Sequence, residues 1–152
     1  MKRLLLIVLP LLLIVGCSKP INENSLIDRN GVKYQQDSQK PYSGKVFRLY
    51  DTGENKKEGI YKDGIQDGLQ TEWYKNGQKM FEKNYKDGNR DGLWTEWYKN
   101  GQKRYEWNYK DEKLDGLFTI WYENGQKMFE KNYKDGILIS KKGWEYDGSV
   151  ME

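Results

Sequence analysis

The polar and apolar positions of this chain repeat with a period of 24 residues. Asp-Gly-Leu recurs at 67–69, 91–93 and 115–117, and the segments between these copies are nearly identical. A fixed period of this size indicates one supersecondary unit per repeat, stacked so that neighbouring units complete each other's burial. The pattern therefore predicts a repeat protein.

Each unit contains two runs of alternating pattern separated by Asn-Gly, which is the strongest short signal for a β-hairpin. Two loops fit: a two-residue Asn-Gly loop, or a three-residue loop in which Gly77 is left-handed. The longer loop segregates the side chains better. It predicts one apolar face with these members: Leu69, Thr71, Trp73, Lys79, Phe81, Lys83, Tyr85, Leu93, Thr95, Trp97, Tyr105, Trp107, Tyr109, Leu117, Thr119, Trp121, Phe129 and Tyr133.

The chain is thus predicted to be an all-β meander of hairpin repeats. The repeats span 43–66, 67–90, 91–114 and 115–138, with a partial copy at 139–148, and a hairpin at 26–42 precedes them. One linker departs from the pattern, because Glu112 stands where the other copies have glycine. That turn is expected to be of a different type or mildly strained.

The N-terminus has the features of an export signal. Lys2 and Arg3 precede an apolar run from 4 to 15, which is shorter than the roughly 20 residues that a transmembrane helix needs. The run ends in Ile-Val-Gly-Cys at 14–17, which resembles the bacterial lipobox. The resemblance implies that 1–16 are removed as a lipoprotein signal peptide, that Cys17 is lipidated and that 17–25 form the lipidated cysteine and a polar tether.

The predicted location is therefore the cell envelope, with the chain held at the membrane through Cys17. Ser18, where Asp would retain a Gram-negative lipoprotein at the inner membrane, implies the outer membrane. Without residues 1–16, Lys+Arg falls from 26 to 24 against 23 Asp+Glu, a net charge of +1. Because the charges are mixed along the chain, nucleic acid is not expected as a partner.

The composition argues against an enzyme. The chain has no histidine, which excludes imidazole metal sites and histidine-activated nucleophiles, and its single cysteine excludes an internal disulfide. Asp67 recurs as Asp91 and Asp115, and Glu72 recurs as Glu96, whereas catalysis needs one asymmetric site. These carboxylates are typical of turns and solvated faces. No cofactor and no metal site are predicted.

The Trp-Tyr, Asn-Gly and Tyr-Lys-Asp-Gly motifs between 43 and 148 resemble MORN repeats, in the bacterial variant of the YwqK antitoxin family. The resemblance implies an elongated, twisted, single-layer antiparallel sheet. It also implies a tethering or scaffolding function. The expected partner is a different protein or a second copy of this chain. An exported lipoprotein cannot neutralise a cytoplasmic toxin, so an antitoxin role would take the form of immunity in the envelope.

Aromatic side chains outside the predicted apolar face are the candidates for partner binding. These residues are Tyr50, Tyr74, Trp94, Tyr98, Phe118 and Tyr122. Their rings would form a solvent-facing strip for a peptide, or alternatively would stiffen the sheet by cross-strand packing. The aromatic content also leaves a second function open, in which the chain is a cell-wall or carbohydrate-binding repeat protein with a glycan as partner.

Overall fold

A computed structural model describes residues 19–151 of the chain. The predicted signal peptide and Cys17 lie outside the described residues. Within this range, no helix has the length and apolar character needed to cross a bilayer.

The fold is all-β, as predicted, with one 3-10 turn at Glu23–Ser25. The strands are β1 (Ile21–Asn22), β2 (Leu26–Arg29), β3 (Val32–Gln35), β4 (Gly44–Leu49), β5 (Asn55–Lys62), β6 (Ile65–Gln66), β7 (Gly68–Trp73), β8 (Lys79–Lys86), β9 (Asn89–Trp97), β10 (Lys103–Lys110), β11 (Lys113–Leu114), β12 (Gly116–Trp121), β13 (Lys127–Lys134) and β14 (Ile137–Gly143).

The main sheet is a single-layer meander that follows the chain from β4 to β14, except that the two-residue strands β6 and β11 lie off this path and pair only with β5 and β10. Its neighbouring strands are antiparallel, which confirms the predicted fold class. The one exception is β1, which pairs with β4 in parallel at the N-terminal end. Strands β2 and β3 form a separate hairpin.

The hairpin loops have the predicted three-residue form. The amide of Gly77 donates to the carbonyl of Tyr74 at 3.0 Å, and the amide of Tyr74 donates to the carbonyl of Gln78 at 2.9 Å. Gly77 has a φ of 82°, a conformation that glycine adopts without steric cost. The loop at Gly101 repeats both hydrogen bonds, so the prediction holds beyond one unit.

The predicted division of side chains between the two faces is wrong, because each hairpin contains a bulge. Trp73 pairs with Lys79, but its neighbour Glu72 pairs with Phe81, so Met80 is an additional residue in β8. A shift of one residue turns every later side chain to the other face. Phe81 therefore lies opposite Glu72 and away from Trp73.

The sheet has two distinct faces as a result. The first, here called the leucine face, carries Leu69, Leu93 and Leu117 with Thr71, Thr95, Thr119, Trp73, Trp97 and Trp121. The second, here called the aromatic face, carries Phe81, Tyr85, Trp94, Tyr105, Trp107, Tyr109, Phe118, Phe129 and Tyr133. The rings of β8, β10 and β13 were predicted on the same face as the tryptophans of β7, β9 and β12. They lie on the opposite face of the sheet.

The buried core lies at the N-terminal end of the sheet. Val46 of β4 and Tyr61 of β5 point to the aromatic face and are 1% and 5% exposed. Leu26 and Tyr42 of the preceding segment complete this cluster. The segment from 21 to 42 therefore covers the aromatic face at the first repeat.

The turn at Glu112 keeps the conformation of its glycine counterparts and is therefore strained. Asp111 and Glu112 have φ of 48° and 63°, close to the values of Asp87 and Gly88 in the preceding unit. A left-handed conformation costs an ordinary residue about 1 kcal/mol more than glycine. Glu112→Gly is expected to raise the free energy of unfolding by about this amount in urea denaturation.

The repeat supplies a control for this prediction. Gly136 occupies the same turn position in the next unit, and a Cβ there would meet only Lys113, at 3.8 Å. Gly136→Glu is expected to lower the free energy of unfolding by a similar amount. Equal stability of Glu112→Gly and the unchanged chain would contradict the strain at Glu112.

Candidate functional site

A cluster of aromatic rings on the aromatic face is centred on Trp94 of β9. The ring centroid of Trp94 lies 5.2 Å from that of Tyr85 on β8. It lies 5.3 Å from Tyr109 and 6.1 Å from Trp107, both on β10. These tilted and edge-on arrangements are those that aromatic pairs prefer.

The cluster continues without a gap to β13. Phe118 of β12 lies 5.6 Å from Trp107, 6.2 Å from Tyr105 and 6.4 Å from Tyr133, measured between ring centroids. The aromatic cluster, as the term is used below, consists of Tyr85, Trp94, Tyr105, Trp107, Tyr109, Phe118 and Tyr133. It extends from Tyr85 in the second repeat through the third and fourth repeats.

Cations border the aromatic cluster on the side of β13 and β14. The Lys131 ammonium lies 5.7 Å from the ring of Phe118, and the Lys141 ammonium lies 4.2 Å from that of Phe129. Neither lysine forms an ion pair with another described residue, whereas Lys83 on β8 is paired with Glu72 at 3.3 Å. The rim at β13 and β14 is therefore suited to a carboxylate on a partner.

The first repeat shows how a polypeptide covers this face. The carboxylate of Glu23 accepts hydrogen bonds from Lys57 at 2.6 Å and from the Tyr61 hydroxyl at 2.7 Å, and Arg48 lies 4.0 Å away. Burial by itself raises the pKa of Glu23, but these donors outweigh it and hold the pKa below its ordinary value. Leu26 packs beside this contact.

The four predicted tyrosines tie neighbouring repeats together. The hydroxyls of Tyr50, Tyr74, Tyr98 and Tyr122 donate to the carbonyls of Trp73, Trp97, Trp121 and Trp144 at 2.6, 2.8, 2.9 and 3.1 Å. Burial raises the pKa of Tyr74 and Tyr98, which keeps both hydroxyls protonated as donors. Asparagines of the same loops repeat the arrangement, since Asn76 donates to the carbonyl of Lys99 at 2.9 Å.

The six predicted binding residues therefore do not form one strip. Trp94 and Phe118 belong to the aromatic cluster, while the tyrosines lie along the edge formed by the hairpin loops. Trp107 joins Trp94 and Phe118, although the alternation of side chains predicted it on the other face. The alternation of Tyr105, Trp107 and Tyr109 within β10 was the local signal for this group of rings.

The leucine face carries a row of lysine–glutamate ion pairs, one in each of the second to fourth repeats. Glu82, Glu106 and Glu130 bind Lys79, Lys103 and Lys127 three residues earlier, and each ammonium also lies against a tryptophan ring of the next unit. Thr95 beneath them is 4% exposed. Among residues 19–151, no group of three acidic or cysteine side chains is arranged to hold a metal ion.

Comparison with known families supports the repeat assignment. The family model described as MORN repeat variant matches residues 66–87, 90–111 and 114–135, which are three consecutive repeats. No curated protein matches the chain. The three matched segments indicate a repeat-based protein-interaction module, and they contain all seven rings of the aromatic cluster.

Proposed function

We propose that this chain is a non-catalytic interaction module of the bacterial cell envelope, held at the membrane through lipidated Cys17, and that its aromatic face binds a protein partner. The observation that carries the proposal is the aromatic cluster, which extends beyond the part of this face that residues 21–42 cover. Large aromatic side chains contribute most of the energy in protein interfaces, especially when they adjoin one another.

The chemistry of the partner follows from the contact at the first repeat. There the chain's own segment presents the carboxylate of Glu23 and the aliphatic side chain of Leu26 to this face. The third and fourth repeats offer more rings, and Lys131 together with Lys141 of the partial copy offers cations. A segment with acidic and apolar side chains therefore fits, since it would pair with the cations and bury the rings.

The envelope location rests on the export signal and the lipobox-like segment before Cys17. A module held there meets proteins of the envelope and proteins delivered into it. An immunity role, in which the module neutralises a toxin that acts in the envelope, is the form of antitoxin function compatible with this location. The outer membrane is the proposed site, because Ser18 follows the cysteine.

Binding without catalysis is supported by the periodicity of the charged groups. Glu82, Glu106 and Glu130 share one arrangement with their lysines, so no carboxylate of this series has an environment of its own. Catalytic acids and bases depend on such differences between neighbouring groups.

Capture of envelope proteins by the immobilised chain tests the proposal. Trp107→Lys removes the central ring, and the fold should tolerate it because the equivalent residues Lys83 and Lys131 are already lysine. We expect this variant to lose at least about tenfold in affinity for the captured protein, as for a central aromatic residue of an interface. The change is read by titration with the purified partner.

Leu93→Lys is the matched control for this experiment. It introduces the same charge on the leucine face, at a position where the first repeat has Lys45. Its affinity should match that of the unchanged chain. Equal loss in both variants, or full binding by Trp107→Lys, would exclude the aromatic cluster as the interface.

A second candidate function is carbohydrate or cell-wall binding, and the near-continuous rings of Trp94, Trp107 and Phe118 favour it. Aromatic faces stack on the apolar faces of sugars, so the same cluster would serve. Sedimentation of the chain with purified peptidoglycan distinguishes the two functions. Retention that Trp107→Lys abolishes, together with no captured protein, would favour the glycan.

A further inference from the structure

The first repeat differs from the others on the leucine face. Where the second repeat has Thr71 and Asn84, the first has Phe47 and Ile60. Leu49 stands where the second repeat has Trp73, and Asn55 stands where it has Lys79. The first repeat therefore has more apolar side chains beside its glutamate, Glu58, which lacks the lysine partner that the later repeats have three residues earlier.

Phe47, Leu49 and Ile60 of the first repeat line an open groove of about 720 Å³. Leu49, Ile60 and Leu69 are 42%, 38% and 42% exposed, and Phe47 lies between them. In the later repeats the exposed leucines are separated by Asn84 and its equivalents. The groove is therefore largely apolar around one exposed carboxylate, that of Glu58, which lies opposite Phe47 and accepts a hydrogen bond from Asn55 at 3.1 Å. Exposed apolar surface of this kind marks an interaction site.

The N-terminal end of the described chain lies at this groove. Lys19 and Pro20 line it, together with Lys45. Cys17 precedes Lys19 by two residues, so the Cα atoms of these two residues are at most about 7 Å apart. If Cys17 is fixed at a lipid surface, the rim of the groove must lie within about 10 Å of that surface.

We propose that the groove of the first repeat rests on the lipid surface that holds Cys17. The inference depends on the proposed lipid anchor. Phe47, Leu49 and Leu69 would contact the boundary between headgroups and acyl chains, where the Glu58 carboxylate stays hydrated, while Lys19 and Lys45 would contact lipid phosphates. Burial of apolar area adds to the anchor, and basic residues next to it are attracted to an anionic surface.

This contact would orient the sheet. Leu117 lies on the same face as Leu69 but four strands further along the sheet, which is about 19 Å at 4.8 Å per strand. Because neighbouring strands are rotated by about 20–25°, the leucine face at Leu117 is turned by about 80–100° from that at Leu69 and would no longer face the membrane. The aromatic cluster, on the opposite face, would remain open to a partner.

The test uses the full-length lipidated protein in vesicles of phosphatidylethanolamine and phosphatidylglycerol. Leu69→Cys and Leu117→Cys each carry an environment-sensitive fluorophore, since lipidation occupies the thiol of Cys17. We expect a blue shift and several-fold stronger quenching by nitroxide-labelled lipid at position 69 than at 117. Leu49→Cys provides a second reporter in the groove, in case the label at 69 disturbs the fold.

Vesicle flotation separates the two proposals. Flotation that Cys17→Ser abolishes supports the anchor. Flotation with equal quenching at 69 and 117, or with none, overturns the contact at the groove and leaves the anchor in place. Failure of the unchanged protein to float overturns both. A blue shift at 69 without vesicles would assign the groove to a second copy of the chain and overturn the lipid contact.

Discussion

Glu23→Ala is expected to lower the free energy of unfolding by about 3 kcal/mol, as measured by urea denaturation. The side chains of Glu23 and Lys57 are only 9% and 14% exposed, and their charged atoms are 2.6 Å apart. Removing the carboxylate would leave the ammonium of Lys57 partly buried without its partner. The Tyr61 hydroxyl would lose its acceptor as well.

The repeat suggests how to separate the charge from the packing. In the later units the position of Lys57 is occupied by Phe81, Tyr105 and Phe129. The double variant with Glu23→Leu and Lys57→Phe should recover most of the stability that Glu23→Ala loses, because both charges leave together. A loss below about 0.5 kcal/mol for Glu23→Ala would contradict the importance of this pair.

The same pair predicts how stability depends on pH. Because the pKa of Glu23 is below its ordinary 4.5 in the folded chain, its contribution is present above pH 4.5 and is lost as the pH falls through the folded pKa. Burial, followed by the hydrogen bond to Glu23, raises the pKa of Tyr61 above its ordinary 10.0, so that contribution is lost only at strongly alkaline pH. In Glu23→Gln, the free energy of unfolding should therefore depend less on pH below pH 4.5 than in the unchanged chain.

The hairpin unit was predictable from the sequence because its signals are local. The Asn-Gly loop needs only Gly77 and its neighbours, and the period of 24 residues sets how often the loop recurs. The division between faces depends on an additional residue, Met80, whose effect extends through the rest of its strand. Side-chain alternation alone could not reveal it.

A charge pattern did contain this information. In a regular strand, residues i and i+3 point to opposite faces, so Lys79 and Glu82 would not meet. The Lys-Met-Phe-Glu segment has opposite charges at this spacing, and Lys103 with Glu106 repeats it. Ion pairs between these residues require a bulge between them. The recurring spacing was therefore a signal for the bulge.

The roles of the tyrosines and of the N-terminal segment could not be predicted in the same way. Tyr74 follows the last residue of β7, where the strand alternation no longer gives the direction of a side chain, and its hydroxyl reaches Trp97 in the next repeat. Glu23 and Lys57 are 34 residues apart, and no periodicity relates them. Such contacts depend on how separate units pack.

Gly59→Ala is expected to lower the free energy of unfolding by about 3 kcal/mol. The side chain of Gln70, which is 2% exposed, lies directly over Gly59. A Cβ at position 59 would be 1.8 Å from Oε1 of Gln70 and 2.6 Å from its Cδ. Gln70 would have to leave this position and break the hydrogen bond from its Nε2 to the carbonyl of Ile60, which is 2.8 Å long.

A double-mutant cycle measures this collision directly. Gln70→Ala removes the side chain that a Cβ would meet, so Gly59→Ala should cost far less in that background than in the unchanged chain. Lys83→Ala, at the equivalent position of the next repeat, should cost less than about 1 kcal/mol, because its pair with Glu72 is partly exposed. Additive effects of the changes at 59 and 70 would show that the glycine is not required by Gln70. A strong coupling would instead explain why the first repeat has glycine where the others have lysine or tryptophan.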